Sequence, residues 1–216
     1  MTRHRLTSAF VLAALTIAVP ALAGPPLLCH PYEIGAARSL PWSSGAGWNQ
    51  PSADYNLKNL VADTEALLTP PTPVIVRMET LRRAAIYASA DAQVASHLIN
   101  RLLARADMTG KKGQADALAL LDAAYLAEAF HEITMLTKTP PFSERIAGVR
   151  AARGSTDGRA LITKSLAARP DDPALHFAAA LIMADNNRAA YEAHAAKARA
   201  GAAKDPLLAR NLDHVS

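Results

Sequence analysis

Leu81, Ala85, Ala88, Ala92, Ala95, Ile99, Leu102 and Ala106 follow one another in alternating steps of four and three. Only an α-helix places such positions in one seam, because 3.6 residues per turn brings i, i+3 and i+4 onto one face. Alanine fills five of these eight positions, so a neighbouring backbone can approach closely, with small contacts summed along a long interface. The residues interleaved with it include Arg82, Arg83 and Arg101, which the pattern places on the solvent side. Glu79 and Arg83 make an i,i+4 pair worth a few tenths of a kcal/mol on an exposed helix. The seam is too rich in alanine and too short for a strong coiled-coil zipper, so it reads as packing within the chain.

The rest of the chain agrees with an all-α fold. Aromatic residues are only 5%, and the one β-branched run, Val74-Ile75-Val76, is too brief for a strand. Helices are expected near Asp54–Leu68, from Pro73 through the 81–106 seam with Thr72 as N-cap, and near Gln114–Thr137. Others are expected near Ser143–Ala152, Arg159–Ala168, Ala174–Ala184 and Arg188–Ala200, with Gly201 as a C-cap. A last short one starts at Asp205-Pro206. Thr109-Gly110-Lys111-Lys112-Gly113 reads as the turn that folds the second helix onto the third as an αα-hairpin. Asp172-Pro173 and Asp205-Pro206 repeat a cap-then-proline start signal.

Residues 1–23 have a different character. Arg3 and Arg5 precede an apolar run from Ala9 to Val19, and Ala21-Leu22-Ala23 follows. This is the layout of a secretory signal peptide cut after Ala23, so the chain is expected to be exported, periplasmic or secreted. Leu28 stands where a lipoprotein signal wants Gly or Ala before Cys29, which argues against lipidation. Loss of Arg3 and Arg5 lowers the 23 basic residues to 21 against 19 acidic ones, a net charge of +2. That excess is too small and too scattered for nucleic acid binding. No remaining segment is apolar for the length of a bilayer span. Cys29 is the only cysteine, so no disulfide forms within the chain and stability must come from packing.

Residues 24–52 are rich in proline and glycine and carry both tryptophans, Trp42 and Trp48. Proline excludes a helix interior, and tryptophan is unusual in a disordered linker. An extended arm that docks in part on a helical domain, residues 53–216, is therefore expected. The indoles serve either as anchors or as a stacking surface for a sugar or peptide.

Candidate chemistry is sparse. Cys29 and His30 are adjacent thiol and imidazole groups, able to ligate a metal or poise a thiolate, but a metal site needs three or four ligands. Packing of Cys29 as a small apolar group is the alternative. His131-Glu132 lacks the second histidine of the zinc-protease motif, where Met135 stands instead. Gly110–Gly113 lacks the flanking residues of a phosphate loop. Gly154–Gly158 is a capping turn and not a nucleophile elbow. No catalytic constellation and no cofactor motif is found.

The back half resembles tetratricopeptide-like arrays, whose unit of about 34 residues is a pair of helices with small residues at the crossing. Asp172-Pro173 and Asp205-Pro206 lie one such period apart, with Ala178, Ala179 and Ala193 as the small positions and Phe177 as the large one. The resemblance implies a solenoid of helical hairpins. Leu27-Leu28-Cys29-His30-Pro31 with Ser39-Leu40-Pro41-Trp42 resembles the start of a group of uncharacterised exported bacterial helical proteins. Asp116-Ala117-Leu118-Ala119 with Asp122–Leu126 is similar to a segment of the same group. This implies export and a helical body, and no chemistry. The function expected is that of a non-enzymatic interaction protein of the cell envelope. It would take a peptide or protein partner in a groove, with Trp42, Trp48, Arg82, Arg83 and Arg101 as contact residues. A metal- or thiol-responsive module at Cys29 and His30 is the alternative.

Overall fold

Asp116, Asp157, Asp172 and Asp205 each stand just before a helix and accept hydrogen bonds from its first free N–H groups at 2.9–3.3 Å. Each satisfies donors that the helix itself leaves orphaned. The computed structural model describes residues 24–45, 47–111 and 116–216. The signal-peptide reading of residues 1–23 and the Lys112-Gly113 part of the expected turn lie outside them.

Nine α-helices form among the described residues: α1 (Leu60–Leu67), α2 (Val74–Ala88), α3 (Ala92–Lys111), α4 (Ala117–Met135), α5 (Phe142–Arg153), α6 (Gly158–Ala168), α7 (Pro173–Met183), α8 (Arg188–Gly201) and α9 (Pro206–Arg210). Short 3-10 turns occupy Leu57–Asn59, Ala202–Lys204 and Leu212–Val215. The described residues are all-α, 66% of them helical, and the one β-bridge among them joins Trp42 to Pro51.

α4 organises the rest. It is apolar nearly all round, and its residues from Ala117 to Phe130 are buried without a break. Such a helix must be enclosed on every side, and α2, α3, α5, α6 and α7 all touch it. Its alanines let these neighbours come near. Gly158, the first residue of α6, marks a close approach to α4. A Cβ there would sit 2.6 Å from the carbonyl oxygen of Ala124, while its N–H donates to Glu128 Oε1 at 3.1 Å.

Four local expectations change. The 81–106 seam is carried by two helices, because the chain turns at Ser89–Asp91 and Asp91 caps α3 through bonds to the N–H groups of Gln93 and Val94. The spacing survives the break since both halves face the same core, and every seam residue except Ala92 is buried. Thr72 is not a cap: its hydroxyl donates to the Leu67 carbonyl, and Pro73 takes the N-cap place. Gly201 has φ of −91° and ends α8 without a left-handed cap. Its missing Cβ makes room for Pro173, whose Cβ would lie 2.3 Å away. Ala193 is exposed; α8 packs against α7, and the alanines it buries are Ala195 and Ala198, while α7 buries Ala178 and Ala179.

Candidate functional site

The arm is part of the core. Leu27, Leu28, Tyr32 and Leu40 are fully buried among the helices. An extended segment brings unpaired N–H and C=O groups into that interior, where an unmet group costs about 1–3 kcal/mol. The body meets them with side chains.

α2 supplies the first set. Glu79 and Arg82 are wholly buried. Glu79 accepts from the guanidinium of Arg82 at 2.7 and 2.9 Å and from Arg83 Nε at 2.7 Å. Its Oε2 also accepts the Tyr32 N–H at 3.1 Å. Arg82 Nη1 donates to the carbonyls of Leu28 (3.2 Å) and Trp48 (2.8 Å), and Arg83 Nη1 donates to that of Leu40 at 2.6 Å. Tyr87 closes the row, donating to the Pro41 carbonyl at 2.7 Å and accepting from the Ser52 N–H at 2.8 Å. Every hydrogen-bonding atom of the Glu79–Arg82 pair thus has a partner, which a buried ion pair requires.

α4 and the chain's last turns supply the rest. Tyr125 donates to the Leu27 carbonyl at 2.6 Å, and both oxygens of Glu132 share the Leu27 N–H at 3.1 and 3.0 Å. Burial pushes the Glu132 carboxyl well above the usual carboxylate range, against the pull of the backbone N–H groups it accepts from. Asn211 pairs with both backbone groups of Glu33, accepting from its N–H at 2.8 Å and donating to its carbonyl at 3.0 Å.

The residues singled out in the sequence fall in several places. Trp48 stacks on Phe142 of α5, with centroids 5.3 Å apart and planes 11° from parallel. Trp42 stands edge-on to Tyr87 at 5.7 Å, with the guanidinium carbons of Arg82 and Arg83 at 5.0 and 5.6 Å from its ring. Both indoles are anchors of the arm. Arg82 is not solvent-facing as the seam implied, because its charge is matched inside by Glu79. Arg83 is half-buried on the same carboxylate, and only Arg101 is exposed, paired with Glu65 at 2.9 Å. The two α2 arginines therefore hold the arm, and neither presents a free charge to an acidic partner.

Cys29 is half-buried against Gly24, and burial, aided by the Glu132 carboxylate, pushes its thiol up to about 11. It stays protonated at neutral pH, so its surroundings do not make a poised thiolate. His30 turns toward His214, with ring centroids 6.2 Å apart. No group of three metal-ligating side chains occurs among the described residues, and Cys29 and His30 have no third ligand there.

Between the start of the arm and the α7–α8 turn lies an open cleft of about 220 Å³, lined in part by Gly24, His30, Asp185, Tyr191, Asp213 and His214. His214 stacks on Tyr32 at 4.9 Å, and burial, with His30 adding to it, pulls its imidazole down to about 4. A second imidazole pair has no signal in the spacing. His176 of α7 and His194 of α8 approach to 2.9 Å between their Nδ1 atoms. The Pro170 carbonyl, 2.8 Å from His176 Nε2, requires a proton there. With Nε2 carrying the proton, His176 presents Nδ1 as the acceptor for the Nδ1–H of His194.

His214 gives a pH signature. Its folded pKa lies below its ordinary value near 6.5, so the unfolded chain binds the extra proton first. Its contribution is whole above pH 6.5 and is lost as pH falls toward about 4. Buried Asp122 opposes this, since burial raises its carboxyl to about 6 despite Arg77 at 2.6 Å. A comparison with His214→Phe isolates the histidine. Between pH 6.5 and 4 the parent loses on the order of 1–2 kcal/mol relative to the variant, after allowance for solvent screening. Denaturant titration at each pH reads this difference, and a constant difference would exclude the assignment.

The chain matches no known protein family, no curated protein and no solved structure.

Proposed function

We propose that this is an exported, non-enzymatic interaction protein of the cell envelope. Its helical body holds an extended polypeptide by its main chain, and the arm, residues 24–52, is the resident occupant of that seat. One observation carries the reading: buried Glu79, Arg82, Tyr125, Glu132 and Asn211 all bond to backbone atoms of the arm. Main-chain bonds supply affinity for any extended segment, and pockets such as those of Leu27, Leu28 and Leu40 supply selectivity, the division of labour found in peptide grooves. The occupant this chemistry takes is an extended segment with paired leucines and a nearby tryptophan. Within the same reading, the stretch from Asp172-Pro173 to Asp205-Pro206 is one tetratricopeptide-like hairpin unit. Its support is the buried alanines where α7 meets α8 and the buried Phe177.

The test uses the full chain with Leu28→Ala, which loosens the arm. A synthetic peptide of residues 24–52, added in excess, is expected to raise the melting temperature of the variant and to leave the parent unchanged. A peptide with Leu27 and Leu28 replaced by Asp serves as the control. Failure of the native peptide to stabilise the variant at millimolar concentration, or equal stabilisation by the control, refutes the groove.

A further inference from the structure

His176 of α7 and His194 of α8 share one proton across 2.9 Å. His176 is buried and His194 half-buried, and their rings lie 22° from parallel with centroids 5.0 Å apart. The Pro170 carbonyl fixes a proton on His176 Nε2, which leaves Nδ1 as the acceptor. A first added proton is compatible with this bond. It goes to His194 Nε2, and the Nδ1–H donor then belongs to an imidazolium and bonds more strongly. A second proton has only His176 Nδ1 to go to. It turns the acceptor into a donor that faces another donor, and it sets two like charges side by side.

The charged groups around the pair are mixed in sign. Asp171, Asp172, Lys197, Lys204 and Asp205 line an open pocket of about 700 Å³ with His176. Asp172 and Asp205 cap α7 and α9, and Asp172 also meets Arg169 at 3.9 Å. Burial, with His176 and Lys197 adding to it, holds the His194 imidazole below its ordinary range. On α2 and α4, which pack against α7, Glu79 is matched by Arg82, Asp122 by Arg77 and Glu128 by Arg153, and Glu132 is bonded to Leu27. On α6, Arg159 reaches toward Glu128 and Lys164 is exposed. Asp213 and His214 of the last turn line the cleft beside the arm.

Both helices of this hairpin reach the arm. On α7, His176 precedes Phe177, whose ring stands edge-on to Tyr32 at 6.1 Å. On α8, Arg199 donates to the Val215 carbonyl. The turn that ends there carries His214, stacked on Tyr32 at 4.9 Å. Asn211, just before that turn, holds both backbone groups of Glu33. We propose that the His176–His194 pair is an acid-operated latch on the arm. With neither imidazole charged, or only one, α7 and α8 stay joined and Tyr32 and Glu33 are held. With both charged, the hairpin parts and that stretch of the arm is released. The latch decides when the seat is free for another extended segment, and in that respect it rests on the groove reading above. Its sign follows from the bond: the open hairpin takes up the second proton more readily than the closed one. Closure is therefore whole above pH 6.5, the ordinary imidazole value, and is lost as pH falls below it.

The test compares the chain with its His194→Gln variant, whose side-chain amide donates to His176 Nδ1 and takes up no proton. Both carry His214→Phe, which removes the other imidazole against Tyr32. Amide hydrogen exchange at Tyr32 and Glu33, corrected for the intrinsic pH dependence, reads the opening of that stretch. Between about pH 7.5 and 4.5 protection is expected to fall about tenfold in the parent, the equivalent of one pH unit in proton affinity. In His194→Gln the fall is expected to be less than about twofold on the same scale. Asp122 titrates in both chains and cancels in the comparison. NMR of 15N-labelled histidine is a second measurement. A coupling across the Nδ1–H···Nδ1 bond is expected at neutral pH, to survive the first protonation and to vanish with the second. Equal loss of protection in the two chains, no loss in the parent, or absence of the coupling at neutral pH overturns the latch. No added peptide enters these readings, so their failure leaves the groove to the peptide test above. Loss of protection in the parent alone, with no binding of the 24–52 peptide to the acid-opened chain, upholds the latch and refutes the groove.

Discussion

Replacing Arg82 with alanine is expected to lower the unfolding free energy by about 3–5 kcal/mol. The side chain is wholly buried and is matched to Glu79, also wholly buried. Its loss leaves that carboxylate inside the protein with only the half-buried Arg83 as a cation, and leaves the carbonyls of Leu28 and Trp48 without their donor. An exposed i,i+4 pair would register a few tenths of a kcal/mol, so the two environments differ by about tenfold in effect. Urea denaturation of parent and variant gives the value. Glu79→Gln combined with Arg82→Met is expected to destabilise by less than the two single changes together, because no charge is then stranded. A loss below about 1 kcal/mol for Arg82→Ala would mean that the pair is solvated.

Deletion of residues 24–52 is expected to abolish cooperative unfolding. Burial of a leucine-sized side chain contributes about 1.5–3 kcal/mol. Leu27, Leu28, Tyr32 and Leu40 are all at or near full burial. Their combined loss is of the same order as the entire stability of a typical domain, about 5–15 kcal/mol. The deletion also uncovers Glu79, Arg82, Tyr125 and Glu132, each of which has partners on the arm. Near-ultraviolet circular dichroism should lose its fine structure while the far-ultraviolet helix signal largely persists. A deleted chain that melts sharply within a few degrees of the parent would show that the helices close without the arm.

Both results concern charges on helices that otherwise read as plain amphipathic or apolar segments. The helices themselves were legible. Proline pairs, Asp-Pro starts and the four-three spacing mark nearly every boundary to within a few residues, because caps and breakers act on the nearest turn only. The break at Ser89–Asp91 was hidden by continuous spacing, although Ser89 and Asp91 are themselves turn and cap residues. The arm seat was not legible. Glu79, Arg82 and Arg83 have the spacing of an ordinary solvent-facing ion pair, and nothing local tells a paired surface cluster from a paired buried one. One signal was present: Asp122, Glu128 and Glu132 interrupt a helix made mostly of Ala, Leu and aromatics. A charge on a helix that must be enclosed on all sides needs a partner inside.

From residue order alone came the helical class, most of the caps, the proline-rich arm as a distinct segment and the requirement that packing hold the chain together. These depend on interactions between residues a few positions apart. What occupies the interior was settled only by the tertiary fold. Leu27, Leu28, Tyr32 and Trp48 lie on top of Glu79, Arg82, Tyr125 and Glu132 because the helices leave an apolar seat there, and the polar groups of that seat are satisfied by backbone from a distant part of the chain. Pairings across such separations depend on how the rods stack, which no local pattern encodes.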